Sequence, residues 1–224
     1  LVYACPEPKV QHYGHYFDRE NCRYNGIVEK IIYLFPDASI ESFKNLRRQL
    51  LNKKPSKNPE NLIEFANILT QKGMQKYLDD PSELENLAKS SVKSTVIHEL
   101  MHVLFQKVNN QSFENPEIAN KNEFAAALTD IKNCTDESIY LSIANLISAP
   151  ALQYQQAREY LLALFKNELL ENREKYPDIN YIEYDRTHDN RAILSQIPDL
   201  TILQIRTITA KGFRQYFPEL CKAK

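Results

Sequence analysis

Glycine is scarce in this 224-residue chain, at four residues. Few glycines mean few tight hairpin turns, which excludes an all-β sandwich or barrel as the expected class. No uninterrupted apolar run reaches the eighteen or so residues that a membrane-spanning helix needs, so no transmembrane segment is expected. An excess of one charge is missing too. The formal net charge is -1, so nothing asks for nucleic acid or an anionic membrane as partner. The basic cluster Lys53, Lys54 and Lys57 is short and broken by Pro55, and reads as a solvated linker. There is no internal repeat and no low-complexity segment. The four cysteines, Cys5, Cys22, Cys134 and Cys221, contain no Cys-x-x-Cys pair, which argues against a cysteine zinc knuckle. Their even number fits two disulfides in an oxidising compartment, with Cys5–Cys22 and Cys134–Cys221 as the expected pairs. Four reduced, mostly buried thiols are the alternative.

What is present is ordinary for a soluble globular protein: 43% hydrophobic and 25% charged residues. The length suits one domain over residues 1–224 with a sizeable core. Residues 1–26 show no clear period and are expected to be irregular. Their start, Leu1-Val2-Tyr3-Ala4-Cys5, looks like the end of a signal peptide and resembles the lipobox of bacterial lipoproteins. A secreted or periplasmic location follows as an expectation, with lipid attachment at Cys5 in place of its disulfide; a cytoplasmic chain with a plain apolar start is the alternative. Residues 27–35 are β-branched and aromatic and read as a strand or short pair. Helical patterns then dominate, near 40–52 with Ser39 as N-cap, 59–78, 82–89 either ending there or running on into 91–108, 117–133, 136–147 and 151–174. Residues 176–187 read as loop or edge strand, and 188–217 as helix broken near Pro198. The expected class is mainly α (α+β), with a small N-terminal sheet.

The chemistry concentrates in His98-Glu99-Leu100-Met101-His102. Four-residue spacing stacks two histidines on one helix face, one turn apart. Two imidazoles so placed can give two nitrogens to one tetrahedral zinc. Glu99 is then within reach of a zinc-bound water, whose pKa zinc lowers to near 7, and can act as general base. The spacing alone arises by chance in on the order of one chain in a hundred. The run from Thr95 to Leu104, however, is uncharged apart from the motif. Such a helix is expected to be buried, and buried His and Glu need partners or a metal.

Thr95 to Leu104 resembles the active-site helix of the zincin metallopeptidases. That resemblance implies a zincin-like domain, a zinc ion and hydrolysis of peptide bonds. It also implies a third ligand. The metzincin positions are occupied by Phe105 and Val108, so that branch does not fit. Asn122-Glu123-Phe124-Ala125-Ala126-Ala127 resembles the second ligand helix of the gluzincins, with Glu123 twenty-one residues after His102. The resemblance makes Glu123 the expected ligand, with His188, Glu114, Glu117 and Glu137 as rivals. Glu137 stands at a separation similar to that in clostridial neurotoxin proteases. The family often has an Asp four residues beyond the Glu, to orient a ligand histidine. Here that position is Ala127, and Asp130 lies a turn further on.

An oxyanion also needs a donor from outside the motif. Thr187-His188 followed by Arg191 is similar to a Thr-His-Pro segment with a later Arg in some membrane-associated bacterial zinc proteases, which makes His188 the expected stabiliser. His12 and His15 are expected to be solvent-exposed loop residues. The strand near 27–35 is expected to pair with an extended peptide or protein substrate. A zincin scaffold without activity, serving as a binding module, and a secreted toxin or effector protease with one protein target are the alternatives.

Overall fold

A computed structural model describes the backbone of residues 2–4, 14–18, 30–34, 36–51, 59, 61–109, 116–150 and 154–222. Side chains are described within these stretches from residue 40 on, residues 79, 81 and 116 excepted. Ahead of the helices, three short segments are extended: β1 (Val2–Ala4), β2 (Gly14–Asp18) and β3 (Lys30–Leu34), with β1 parallel and β2 antiparallel to β3. Then come α1 (Pro36–Leu50), α2 (Leu62–Asp79), a 3-10 turn (Pro81–Glu83) and α3 (Leu84–Asn109). They are followed by α4 (Pro116–Asn133), α5 (Ser138–Ser148) and α6 (Gln155–Glu171). Two short helices, α7 (Ile182–Thr187) and α8 (Arg191–Leu194), lead to the terminal α9 (Ile202–Tyr216).

Of the expected mainly α (α+β) class with a small N-terminal sheet, the mainly α part is compatible with the structure and the sheet part is corrected. Across the described residues from Pro36 on, 82% are helical and none lies in a strand. The class there is all-α. The physical reason is that each long segment after Pro36 carries an apolar stripe at helical spacing, so helices cover one another's faces. The stretch expected as loop or edge strand is also helical in part: Tyr181 and Tyr184 turn onto the core from α7, and the Tyr181 hydroxyl donates to the Leu169 carbonyl at 3.1 Å.

Local chemistry sets several boundaries. α1 opens on Pro36, whose fixed φ and missing N–H suit a first helical position, rather than at a Ser39 cap. Asn61 caps α2, accepting from the Ile63 and Glu64 amides at 3.0 Å. At its other end, the Arg47 guanidinium donates to the carbonyls of Tyr77 and Leu78 at 3.0 and 2.8 Å, which ties α1 to α2. A capping box of Thr201 and Gln204 starts α9.

Two hydrophobic cores result. The smaller joins Phe43 and Leu50 of α1 to Met74 and Tyr77 of α2 and Leu87 of α3. The larger gathers around α4, whose Phe124, Ala125, Ala126, Leu128 and Ile131 are all buried. Burying a side chain such as Phe124 stabilises by about 1.5–3 kcal/mol. α4 is apolar around most of its circumference because α3, α5, α6 and α9 surround it. Glu123 lies on the inward side of α4, next to buried Asn122 and Phe124, whereas Glu117 and Lys121 of the same helix face solvent. Among the described residues, no helix is long and apolar enough to cross a membrane.

Candidate metal centre

α3 runs unbroken through the motif and presents His98 and His102 one turn apart, with ring centroids 4.8 Å apart and planes at 85°. The expected burial of this helix holds at Met101, His102 and Phe105, whereas Leu100 is 51% exposed. The motif thus lies at the rim of the core, with His102 facing in and His98 partly open. α4 packs alongside, and the small residues Ala125, Ala126 and Ala127 all lie in the interior.

Glu123 projects from α4 between the two imidazoles. Its Oε2 is 3.6 Å from His98 Nε2 and 3.8 Å from His102 Nε2. Both separations are too long for hydrogen bonds. Oε2 is buried, and among the described residues no hydrogen-bond donor satisfies it. A buried acceptor left this way costs about 1–3 kcal/mol, more when charged. Ligand atoms held at 2.0–2.1 Å around a tetrahedral ion stand roughly 3.3 Å from one another. His98, His102 and Glu123 thus bring three ligand atoms together, all within 4.8 Å, at a spacing that one metal ion would bridge. Two imidazoles and one carboxylate suit zinc, which takes such sets with one position left open.

The two histidines differ electrostatically. Burial pulls His98 down, but the attraction of the nearby Glu123 carboxylate, with Asp130 and Glu99 adding, carries its pKa above the ordinary value. Burial and then repulsion from His98 hold His102 below it, with Glu123 and Asn122 offsetting part of the fall.

Glu99 and His98 share the wall of a cavity of about 710 Å³ between α1, α3 and α5, a size ordinary for ligand sites. Hydroxyls and amides such as Ser42, Asn45, Ser142 and Asn145 line much of the rest. Glu99 and Asp130 are the charged residues among the described lining, and both are acidic.

The other expected residues fall elsewhere. His188 caps the end of α7 in a left-handed conformation, φ 54°, exposed and with its ring against Tyr184 at 5.8 Å. It neither lines the cavity nor joins the metal-ligating group. The charges around it pair locally: Arg191 with Asp189, Arg186 with Glu183, and Arg173 with Asp185. Glu117 pairs with Lys121 on the surface, and Glu137 precedes α5; neither joins the group. Glu114 and His12 lie outside the described residues, as does the side chain of His15.

Ala127 is 6% exposed, so no carboxylate reaches the histidines from that position. Asp130 accepts from the Ser94 hydroxyl and lies 3.8 Å from the Cys134 thiol. Asn122, which sequence spacing does not single out, is buried beside Glu123 and acts on His102. The expected Cys134–Cys221 disulfide is corrected: both thiols are free, Cys134 buried among the hydroxyls of Ser94, Ser138 and Ser142, and Cys221 exposed. Cys5 and Cys22 lie outside the described residues. The chain matches no protein-family model, no curated protein and no solved structure.

Proposed function

We propose that this chain is a zinc-dependent hydrolase of peptide bonds. The single observation that carries this reading is the convergence of Glu123 on His98 and His102, twenty-one residues beyond the motif in sequence. The motif by itself specifies two ligands. A third ligand from another helix, its buried oxygen unsatisfied among the described residues, is an independent support.

His98, His102 and Glu123 would hold the metal. When bound, zinc supplies a Lewis acid that polarises a carbonyl and acidifies a water to a pKa near 7. Glu99 stands next to His98 on the cavity wall, outside the ligand group, and is free of any ligand role in this scheme. Its carboxylate accepts a proton from the attacking water and passes it to the amine as the C–N bond breaks. The water oxygen ends in the new carboxyl group, and the amine leaves neutral.

Replacing the base without touching the ligands tests this division of roles. Glu99→Gln should keep the zinc content of the wild type and lose peptide turnover by about 100-fold or more. Retained turnover in that variant would remove Glu99 from the mechanism. An inert zinc-binding scaffold is favoured by one observation, the place of His188 outside the cavity. That reading predicts zinc in both proteins and no turnover in either, across a panel of unrelated peptides.

A further inference from the structure

An imidazole that offers Nε2 to a metal carries its proton on Nδ1, and that proton needs an acceptor. His102 is 8% exposed, and its Nδ1 is buried with no hydrogen-bond partner. Asn122 is 2% exposed, and its Oδ1 is also buried with no partner. Asn122 directly precedes Glu123, whose Oε2 is 3.8 Å from the other nitrogen of the same ring. A donor and an acceptor, both buried and both unsatisfied, thus belong to facing turns of α3 and α4. Each unmade bond leaves the desolvation of a buried polar group uncompensated, and one hydrogen bond between them removes both penalties. The contact with Asn122 also acts on the His102 ring in the direction that an acceptor gives.

We propose that Asn122 is a positioning residue whose Oδ1 accepts the Nδ1 proton of His102, fixing the tautomer that turns Nε2 toward His98 and Glu123. It takes the part of the carboxylate that Ala127 cannot provide and that Asp130 directs to Ser94 instead. The consequence for metal affinity rests on the metal-centre reading above; the hydrogen bond does not. Asn122 needs no ionisation to act, so its effect is the same on either side of neutrality.

Two measurements on the full chain separate these layers. The first is nitrogen NMR of the 15N-histidine-labelled, metal-free protein, with His102→Gln identifying the His102 signals. The wild type should show the Nδ1–H tautomer with a slowly exchanging proton. Asn122→Leu should lose that preference, and Asn122→Asp, which keeps an acceptor, should retain it. The second is zinc affinity by chelator competition, where Asn122→Leu should weaken binding 10- to 100-fold and Asn122→Asp should stay within about threefold. An Nε2–H tautomer in the wild type overturns the proposal, even if Asn122→Leu fails to fold. So does a folded Asn122→Leu protein with an unchanged His102 tautomer. A wild type that binds no zinc defeats the metal-centre reading, while the NMR result still decides the hydrogen bond.

Discussion

Cys134 shows how strongly the interior around the site acts on single groups. Burial, then the charge of Asp130, push its thiol up to about 11, against partial relief from Ser138, Ser142 and Ser94. At pH 9 roughly 1% is thiolate, and thiolate is the reactive form. Alkylation of the folded protein at pH 8, read by peptide mass mapping, should modify the exposed Cys221 and spare Cys134; equal labelling would contradict the burial. The sign for stability follows. The folded pKa lies above the unfolded one, so the contribution is complete below about pH 8.5 and is lost as pH rises toward 11. Residue identities at the site were legible to the extent that spacing encodes them. His98, Glu99 and His102 announce themselves on one turn, and Glu123 through its distance from them. Asn122 has no such signature, because an asparagine beside a glutamate on a helix is ordinary until the neighbouring ring is seen. The similarity of Thr187-His188 with the later Arg191 to a protease segment points to His188, but the charges around it pair with one another at the end of α7.

Among the elements, α2 and α5 approach closely at Gly73. A Cβ built on Gly73 would lie 2.8 Å from Leu141 Cγ and 3.0 Å from the Glu137 carbonyl oxygen. Alanine at an exposed helix position would gain about 1 kcal/mol in propensity over glycine. Here the backbone carbonyl cannot move away as a side chain would, so overpacking wins. Gly73→Ala should destabilise by about 1–3 kcal/mol, read as a lower urea midpoint at unchanged slope. A stabilised variant would show that the two helices are free to separate. The helices themselves were largely legible, since their apolar stripes and the breaks at Pro81 and Pro198 are local signals. Of the two readings of 82–108 the continuous one holds, since α3 runs unbroken. The expected α+β class leaned on the β-branched residues near 27–35, and such a run does not by itself show whether it forms a layer of the core, which depends on what packs against it. Residues 176–187 misled for a related reason: tyrosines suit a strand, yet Tyr181 and Tyr184 are held by α6 and the core instead.

For the molecule as a whole, α4 is the organising element. It lies between the two ends of the problem, giving the larger core Phe124 and Leu128 and giving the candidate metal centre Glu123. A carboxylate placed on so buried a helix needs a reason, because its desolvation is costly unless a partner compensates. In the proposed function, a metal shared with His98 and His102 would be that compensation, and the cavity carrying Glu99 would hold the substrate beside it. The most direct measurement is the zinc content and affinity of purified wild type, His102→Ala and Glu123→Ala, by elemental analysis after zinc incubation and dialysis. The account predicts about one zinc per wild-type chain, none in His102→Ala and a large loss in Glu123→Ala. A wild type that takes up no zinc, or a Glu123→Ala protein that binds it as tightly as the wild type, would contradict the centre proposed for α3 and α4.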